Sequence, residues 1–281
     1  MTREEKNTLE CAACKVRMGI IEATHSACSG HPGGSLSAAD LFTYLYMKEL
    51  NVDPSDPAWQ DRDRFVLSKG HTAPGLYSAL AERGFFPKEE LKTLRQIGSR
   101  LQGHPNMNSV PGVDMSTGSL GQGVSAAAGM ALAAKHQGRK CRIYTLLGDG
   151  EIQEGQPWEA FMFARHYQLD NLCVVIDNNL LQIDGRVDQV MSPYPIPEKL
   201  QSFGFAVEEI DGHDFGQMES AFLKARTTKG VPSAIIMSTV KGKGISFMED
   251  QASWHGKAPN DEEYARAMNE LRTRLEKLEA L

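Results

Sequence analysis

No apolar run in this chain approaches the ~20 residues that a membrane-crossing helix needs. The opening stretch MTREEKNTLE is polar and acidic, where a secretory leader needs an apolar core. Positive charge is not in excess either. Lys and Arg total 30 against 36 Asp and Glu, a net charge of -6, so there is no basic field to gather nucleic acid or an anionic membrane, and any anionic ligand must be held by local groups. Cysteine is scarce and odd in number, five in 281 residues, which excludes a disulfide framework and points to a reducing, cytoplasmic location. Cys11 and Cys14 form a CxxC, but no second pair completes a zinc site. They lie in a helical pattern with Leu9, Ala12, Ala13, Val16, Ile20 and Ile21, which makes them structural. Internal repeats and low-complexity linkers are also absent, so residues 1–281 read as one domain. With 41% hydrophobic residues, a substantial core can form.

What is present is an alternation of helix and strand. Residues 1–50 read as a helical segment of two helices, 2–28 and 37–50, separated by the glycine-rich break SGHPGGS. A polar, Pro-containing connection then leads to a short apolar strand at 64–67. Helical 125–136 precedes strand 141–147, helical 151–168 precedes strand 172–176, and helical 215–224 precedes strand 233–240. The strands IYTLL, LCVVI and AIIM are continuously apolar. This predicts an α/β fold in which a mostly parallel, doubly wound sheet carries helices on both faces. A charged helix over 261–281 closes the chain. Its stripe of Tyr264, Met268, Leu271, Leu275 and Leu278 can pack on its own domain or dock on a partner.

In such a sheet ligands bind beyond the carboxyl ends of the strands, so the loops after each apolar run carry the chemistry. After one strand comes Gly148-Asp149-Gly150-Glu151, and after the next Asp177-Asn178-Asn179. Glycines beside Asp149 allow a sharp turn and close approach to a phosphate. A carboxylate and an amide oxygen from adjacent strand ends are the hard ligands that Mg2+ or Ca2+ takes alongside phosphate oxygens. Together they predict a metal-bridged diphosphate site. A dinucleotide fold is the rival, since Gly148 and Gly150 begin a GxGxxG, but its third position is Gln153. Five of the eight histidines, His31, His71, His104, His213 and His255, adjoin a glycine, while His25, His136 and His166 lie in helical stretches. The glycine-flanked group suits hydrogen bonding and proton transfer near neutral pH. Lys69, Lys241 and Lys257 lie in or beside the same motifs, where they either neutralise phosphate or are solvated.

GDG followed about thirty residues later by NN is the signature of thiamine-diphosphate enzymes. SGHPGG, DRFVLSKGH, GHP, TGSLGQG, LLGDGEIQEG, NNLLQIDG and SWHGK occur here in the order shown by the transketolase family, and the chain resembles that family along nearly its whole length. The resemblance implies thiamine diphosphate and a divalent metal, Mg2+ or else Ca2+ or Mn2+, held by the side chains of Asp149 and Asn179 and the carbonyl of Leu181. It further implies that the Gly150 N–H, His71, His255 and Asn179 serve the coenzyme's diphosphate side; Lys241, beside the same motifs, is taken as a coenzyme residue for its charge alone. Gly118, Ser119 and Leu120 would line the aminopyrimidine side, and Glu154 would join a carboxylate network at a dimer interface. His31 and His104 match residues that hold the ketose hydroxyls and carbonyl, and His255 one that touches substrate as well; these three are the catalytic candidates. His213, in DGHD, receives no role from the resemblance. SKGH and GSLGQG stand where many members have SNGH and GPLGQG, as in the animal-type branch.

In that family the glutamate that activates the coenzyme lies in a second, pyrimidine-binding domain, with the arginines and serine that grip the sugar phosphate. Here the chain ends soon after SWHGK. The expectation is therefore the N-terminal, coenzyme-binding subunit of a split transketolase, paired with a separate C-terminal subunit in a heterotetramer and moving a two-carbon ketol unit between sugar phosphates. A non-catalytic thiamine-diphosphate-binding protein or a component of another thiamine enzyme are the alternatives. SGHPGG and SWHG favour transketolase over a deoxyxylulose-phosphate synthase or a ketoacid dehydrogenase.

Overall fold

The computed structural model describes residues 1–281. Helices α1 (Arg3–Ser26), α2 (Pro32–Ser37) and α3 (Ala39–Tyr44) lead into strand β1 (Arg64–Leu67) and helix α4 (Ala73–Arg83). Then follow α5 (Gly123–His136), β2 (Ile143–Gly148), α6 (Gly155–His166), β3 (Leu172–Asn178), a small antiparallel pair β4 (Leu181–Gln182) and β5 (Gly185–Arg186), and α7 (Val187–Val190). The chain continues through α8 (Ile196–Ser202), β6 (Ala206–Asp211), α9 (Phe215–Thr227) and β7 (Ser233–Ser238) to α10 (Asp261–Glu279). The main sheet has the order β1-β2-β3-β7-β6, and every adjacent pair is parallel.

The pleat sends alternate side chains of each strand to opposite faces. Cys173 and Val175 of β3 join a large core with α1, α3, α4, α9 and α10, while Leu172, Val174 and Ile176 join a smaller one with α5 and α6. The doubly wound parallel sheet expected from the sequence is what the chain forms. No helix is long and apolar enough to cross a membrane.

Two expectations need correction. The glycine-rich break is not all loop, because Pro32, Gly33 and Gly34 begin α2. Those glycines permit close approach: a Cβ on Gly33 would lie 2.7 Å from the Trp254 carbonyl oxygen, and one on Gly34 2.9 Å from Thr72. The helix expected over 151–168 is a short turn at Glu151–Gln153, an extended Glu154 and then α6. Strand β6 and helices α4 and α8 carried no expectation at all; β6 is an edge strand with the polar sequence AVEEID. The stripe on α10 lies along α1, with Met268, Leu271 and Leu278 buried, so this chain uses it for its own packing. Cys14 is buried in that contact, its thiol donating to the Leu271 carbonyl at 3.1 Å, and all five cysteines are free.

Candidate active site

The parallel register brings the carboxyl ends of all five strands to one edge of the sheet. Gly148 of β2 stands beside Asp177 of β3 and Met237 of β7, and Asn178 beside Ser238 and Asp211. Each strand therefore delivers its next residues to one place: β1 gives Lys69 and His71, β2 gives Asp149, β3 gives Asn179, β7 gives Lys241 and β6 gives His213. A cleft of about 330 Å³ opens there. His31, His71 and His255 line it, with Lys69, Lys241, Asp149, Gly150, Asn179 and Leu181 in its floor and Gly118, Leu120 and Glu154 along its sides.

Asp177, fully buried, is the hub of the floor. Its carboxylate accepts from Ser37 Oγ at 2.7 Å, from Asn179 Nδ2 at 3.1 Å, and from Lys69 Nζ and Thr239 Oγ1. Burial alone would raise its pKa, but the Lys69 ammonium and the hydrogen bonds outweigh burial and hold the carboxyl below its usual range. Because the amide nitrogen of Asn179 is spent on Asp177 and Ser37, its Oδ1 is turned the other way, where it accepts from Leu181 N–H at 3.1 Å. Asp149 is buried as well, and accepts from the N–H groups of Gly150 and Leu180 at 2.8 and 2.7 Å. Burial first, then the charge of Asp177, push its pKa up to about 6.

Two lysines are buried here, so neither is a solvated surface lysine. Lys241 is 2% exposed and donates to the Leu181 carbonyl and to His255 Nδ1, each at 3.0 Å, with no carboxylate within ion-pair distance. Burial and the neighbouring Lys69 lower its pKa to about 8. A buried ammonium without a carboxylate is the arrangement an anion stabilises. Lys257 by contrast pairs with Glu263 at 2.5 Å and lies over the Trp254 ring, away from the cleft.

The rings of His31, His71 and His255 are mutually 5.1 to 5.5 Å apart. Burial, reinforced by nearby positive charge, lowers His31 to about 4 and His255 to about 3, and holds His71 well below its ordinary value. All three are neutral at pH 7 and available as hydrogen-bonding groups. Donation by Lys241 to Nδ1 of His255 places the ring proton on Nε2. His31 Nδ1 is buried without any partner, an unmet group that a polar ligand can satisfy.

Not every expected residue reaches this cleft. His104 is exposed and stands outside its lining, with its ring 3.4 Å from where a Cβ on Gly118 would be, and Ser119 faces an adjacent open hollow. The Gly150 N–H is directed at Asp149. Glu154 is exposed at the rim. Sequence reasoning gave no role to Glu151, whose buried carboxylate accepts from Ser68 Oγ and from the N–H groups of Gly121 and Gly148 at 2.6 to 3.0 Å. Asp177 was likewise visible only as the first letter of DNN.

No group of three or more His, Cys, Asp or Glu side chains is gathered to hold a metal alone. The donor set of Asp149, the Asn179 amide oxygen and the Leu181 carbonyl is all oxygen and low in charge, and fits a hard divalent cation whose remaining positions are filled by phosphate oxygens. The unpaired ammonium of Lys241 fits the same ligand.

Lys69→Met is expected to cost about 3–5 kcal/mol of stability at pH 7.5, because it leaves the Asp177 carboxylate buried and unpaired beside Asp149. The cost shrinks at pH 5, where these carboxyls can take up protons. Urea unfolding should show the double variant Lys69→Met/Asp177→Asn recovering over half of the loss; simple additivity would contradict the pairing.

Comparison with known proteins agrees with this geometry. Residues 9–277 match the family model described as transketolase, thiamine diphosphate binding domain. The 6-deoxy-6-sulfo-D-fructose transketolase subunit SqwG of Clostridium sp. (strain MSTE9) is 43% identical over 268 residues, covering 95% of this chain and 98% of that protein. An apulose-4-phosphate transketolase subunit from Phocaeicola vulgatus is 42% identical over 272 residues, covering 97% of this chain and 96% of that protein. The solved transketolase of Campylobacter jejuni superposes with a TM-score of 0.89 at 31% identity, covering 99% of this chain and 46% of that one.

Proposed function

The chain belongs to the family of transketolase thiamine diphosphate-binding domains, and on that premise we propose that it is the coenzyme-holding subunit of a two-subunit transketolase. The reaction is transfer of a two-carbon ketol unit, glycolaldehyde, from a ketose donor to an aldose acceptor, with thiamine diphosphate and Mg2+. The observation that carries this reading is the convergence of Asp149, Asn179, Lys241 and three neutral imidazoles at the carboxyl edge of one parallel sheet. When bound, the coenzyme supplies the nucleophilic carbon on which the two-carbon unit travels. This chain's residues hold and orient. Asp149, Asn179 and the Leu181 carbonyl take the metal, Lys241 and His71 take diphosphate oxygens, and Gly118, Ser119 and Leu120 flank the coenzyme's pyrimidine side. His255 and His31 donate ring protons to substrate oxygens, and His104 reaches substrate from outside the cleft.

The relatives support the two-subunit reading: the chain matches proteins themselves named as subunits over 98% and 96% of their length, and spans 46% of the solved transketolase. The end-to-end relatives are named for a sulfonated ketose and for a sugar phosphate, and the donor proposed here is a ketose with a phosphate or sulfonate at its far end. A partner of the pyrimidine-domain type supplies the groups that grip that end, most simply in a two-plus-two assembly.

His31→Ala and His104→Ala test the substrate side. Each should bind coenzyme normally and lose about 10- to 1000-fold in kcat/KM. Steady-state kinetics in the presence of the partner, together with coenzyme titration, measures both. Near-normal kinetics in both variants would return these rings to a structural role.

A further inference from the structure

Lys241 is held in an unfavourable place. Its ammonium is buried, lacks a carboxylate partner and faces the charge of Lys69, so the turn that carries it must be kept from relaxing outward. Strand β7 has ended at Ser238 and offers no ladder hydrogen bonds to that turn. Within the turn the Gly242 N–H donates to the Gly33 carbonyl and the Lys241 carbonyl accepts from the Asp250 N–H, each at 3.0 Å, and side chains hold its two ends from behind. The Val240 N–H donates to His213 Nε2 at 2.9 Å, and the Lys243 carbonyl accepts from Arg17 Nε at 3.0 Å. A backbone N–H can only donate, so Nε2 is unprotonated and the ring proton sits on Nδ1, which donates to Asp40 Oδ2 at 2.7 Å. Asp40 also accepts both guanidinium arms of Arg17, at 2.9 and 2.6 Å. Burial acts to raise Asp40, but Arg17 and His213 override it and hold the carboxylate well below its ordinary range. Arg17 and Asp40 are 4% and 5% exposed. Buried Arg17 of α1 and half-buried His213 after β6 thus grip the two ends of the Val240–Lys243 turn, and buried Asp40 of α3 ties them together. Gly244, at φ +94°, leaves room for Arg17, whose Cδ would lie 2.9 Å from a Cβ there.

We propose that His213 is a positioning residue for the coenzyme site, acting through the Val240 N–H to hold the Lys241 ammonium beside His255 and the Leu181 carbonyl. The proposal rests on the reading of Lys241 as a coenzyme contact. It gives the DGHD motif the role that resemblance left open, and it explains the histidine just after edge strand β6: outer groups that orient inner ones typically change affinity by about 10- to 100-fold.

Two substitutions separate the ring's two bonds. His213→Gln can present an acceptor where Nε2 stands, whereas His213→Asn reaches Asp40 but leaves Val240 without an acceptor. Calorimetric titration of the assembled enzyme with thiamine diphosphate and Mg2+ should show about tenfold or greater weakening in His213→Asn and less than threefold in His213→Gln. In a Lys241→Met background, His213→Asn should cause no further loss, which a merely structural role would not produce. Amide hydrogen exchange on the free chain should show Val240 protected in the wild type and in His213→Gln and unprotected in His213→Asn. Equal weakening with and without Lys241, or an unaltered Val240 amide in His213→Asn, would overturn the proposal. A wild-type enzyme that fails to bind coenzyme would instead overturn the functional reading, and the exchange measurement would still decide whether His213 holds the turn.

Discussion

Asp149→Asn is expected to weaken metal-dependent coenzyme binding by about 100-fold or more, since it removes the charged member of the proposed metal ligands. Its effect on the ligand-free fold should run the other way. The folded chain holds this carboxyl at about 6, above its value in an unfolded chain, through burial and then the charge of Asp177. A raised pKa means stability that is fully present below pH ~4 and is lost as the pH rises through about 6. At pH 7 the ionised carboxylate costs roughly 2–3 kcal/mol. A neutral amide removes that cost and gives up only one of the two backbone N–H contacts to Gly150 and Leu180, about 1 kcal/mol. Thermal melts without ligand should therefore place the variant's Tm at pH 7.5 no lower than the wild type's, with a smaller change between pH 5 and 7.5. Titration calorimetry with coenzyme and Mg2+ reads the binding loss. Unchanged affinity would remove Asp149 from the metal site, and a Tm well below wild type would show that its ionised form is not under strain.

This opposition between binding and stability also marks what was legible in the sequence. The strands IYTLL, LCVVI and AIIM announce themselves as buried parallel strands because both of their faces are covered, and the GDG and NN loops follow from where such strands end. Edge strand β6 was not legible, because one flank is open and its sequence AVEEID sets two glutamates side by side, breaking both an apolar run and a period of two. The hub carboxylate Asp177 and the Arg17–Asp40–His213 group were not legible either: their ionic partners, Lys69 for Asp177 and Arg17 and His213 for Asp40, lie 23 to 173 positions away, and only the folded register brings them together. The burial of Lys69 and Lys241 belongs to the same class. A lysine in a polar motif looks solvated until the helices that cover it are in place.

The second large effect is dependence on a partner. Every buried carboxylate in the cleft already has its hydrogen bonds: Asp149 from Gly150 and Leu180, Asp177 from Lys69, Ser37, Thr239 and Asn179, and Glu151 from Ser68, Gly121 and Gly148. None of the three buried carboxylates is free to relay a proton at the coenzyme's pyrimidine ring, the task that transketolases give to a glutamate of a second domain, and Glu154 stands at the solvent-exposed rim. The sheet and its two cores, in contrast, are complete within this chain, so folding should not need the partner while turnover should. The direct measurement is a coupled glycolaldehyde-transfer assay on the purified chain, saturated with thiamine diphosphate and Mg2+, before and after addition of a pyrimidine-domain partner. No ketol transfer from the folded chain alone and full turnover on mixing is the predicted result; robust turnover by the chain alone would contradict it.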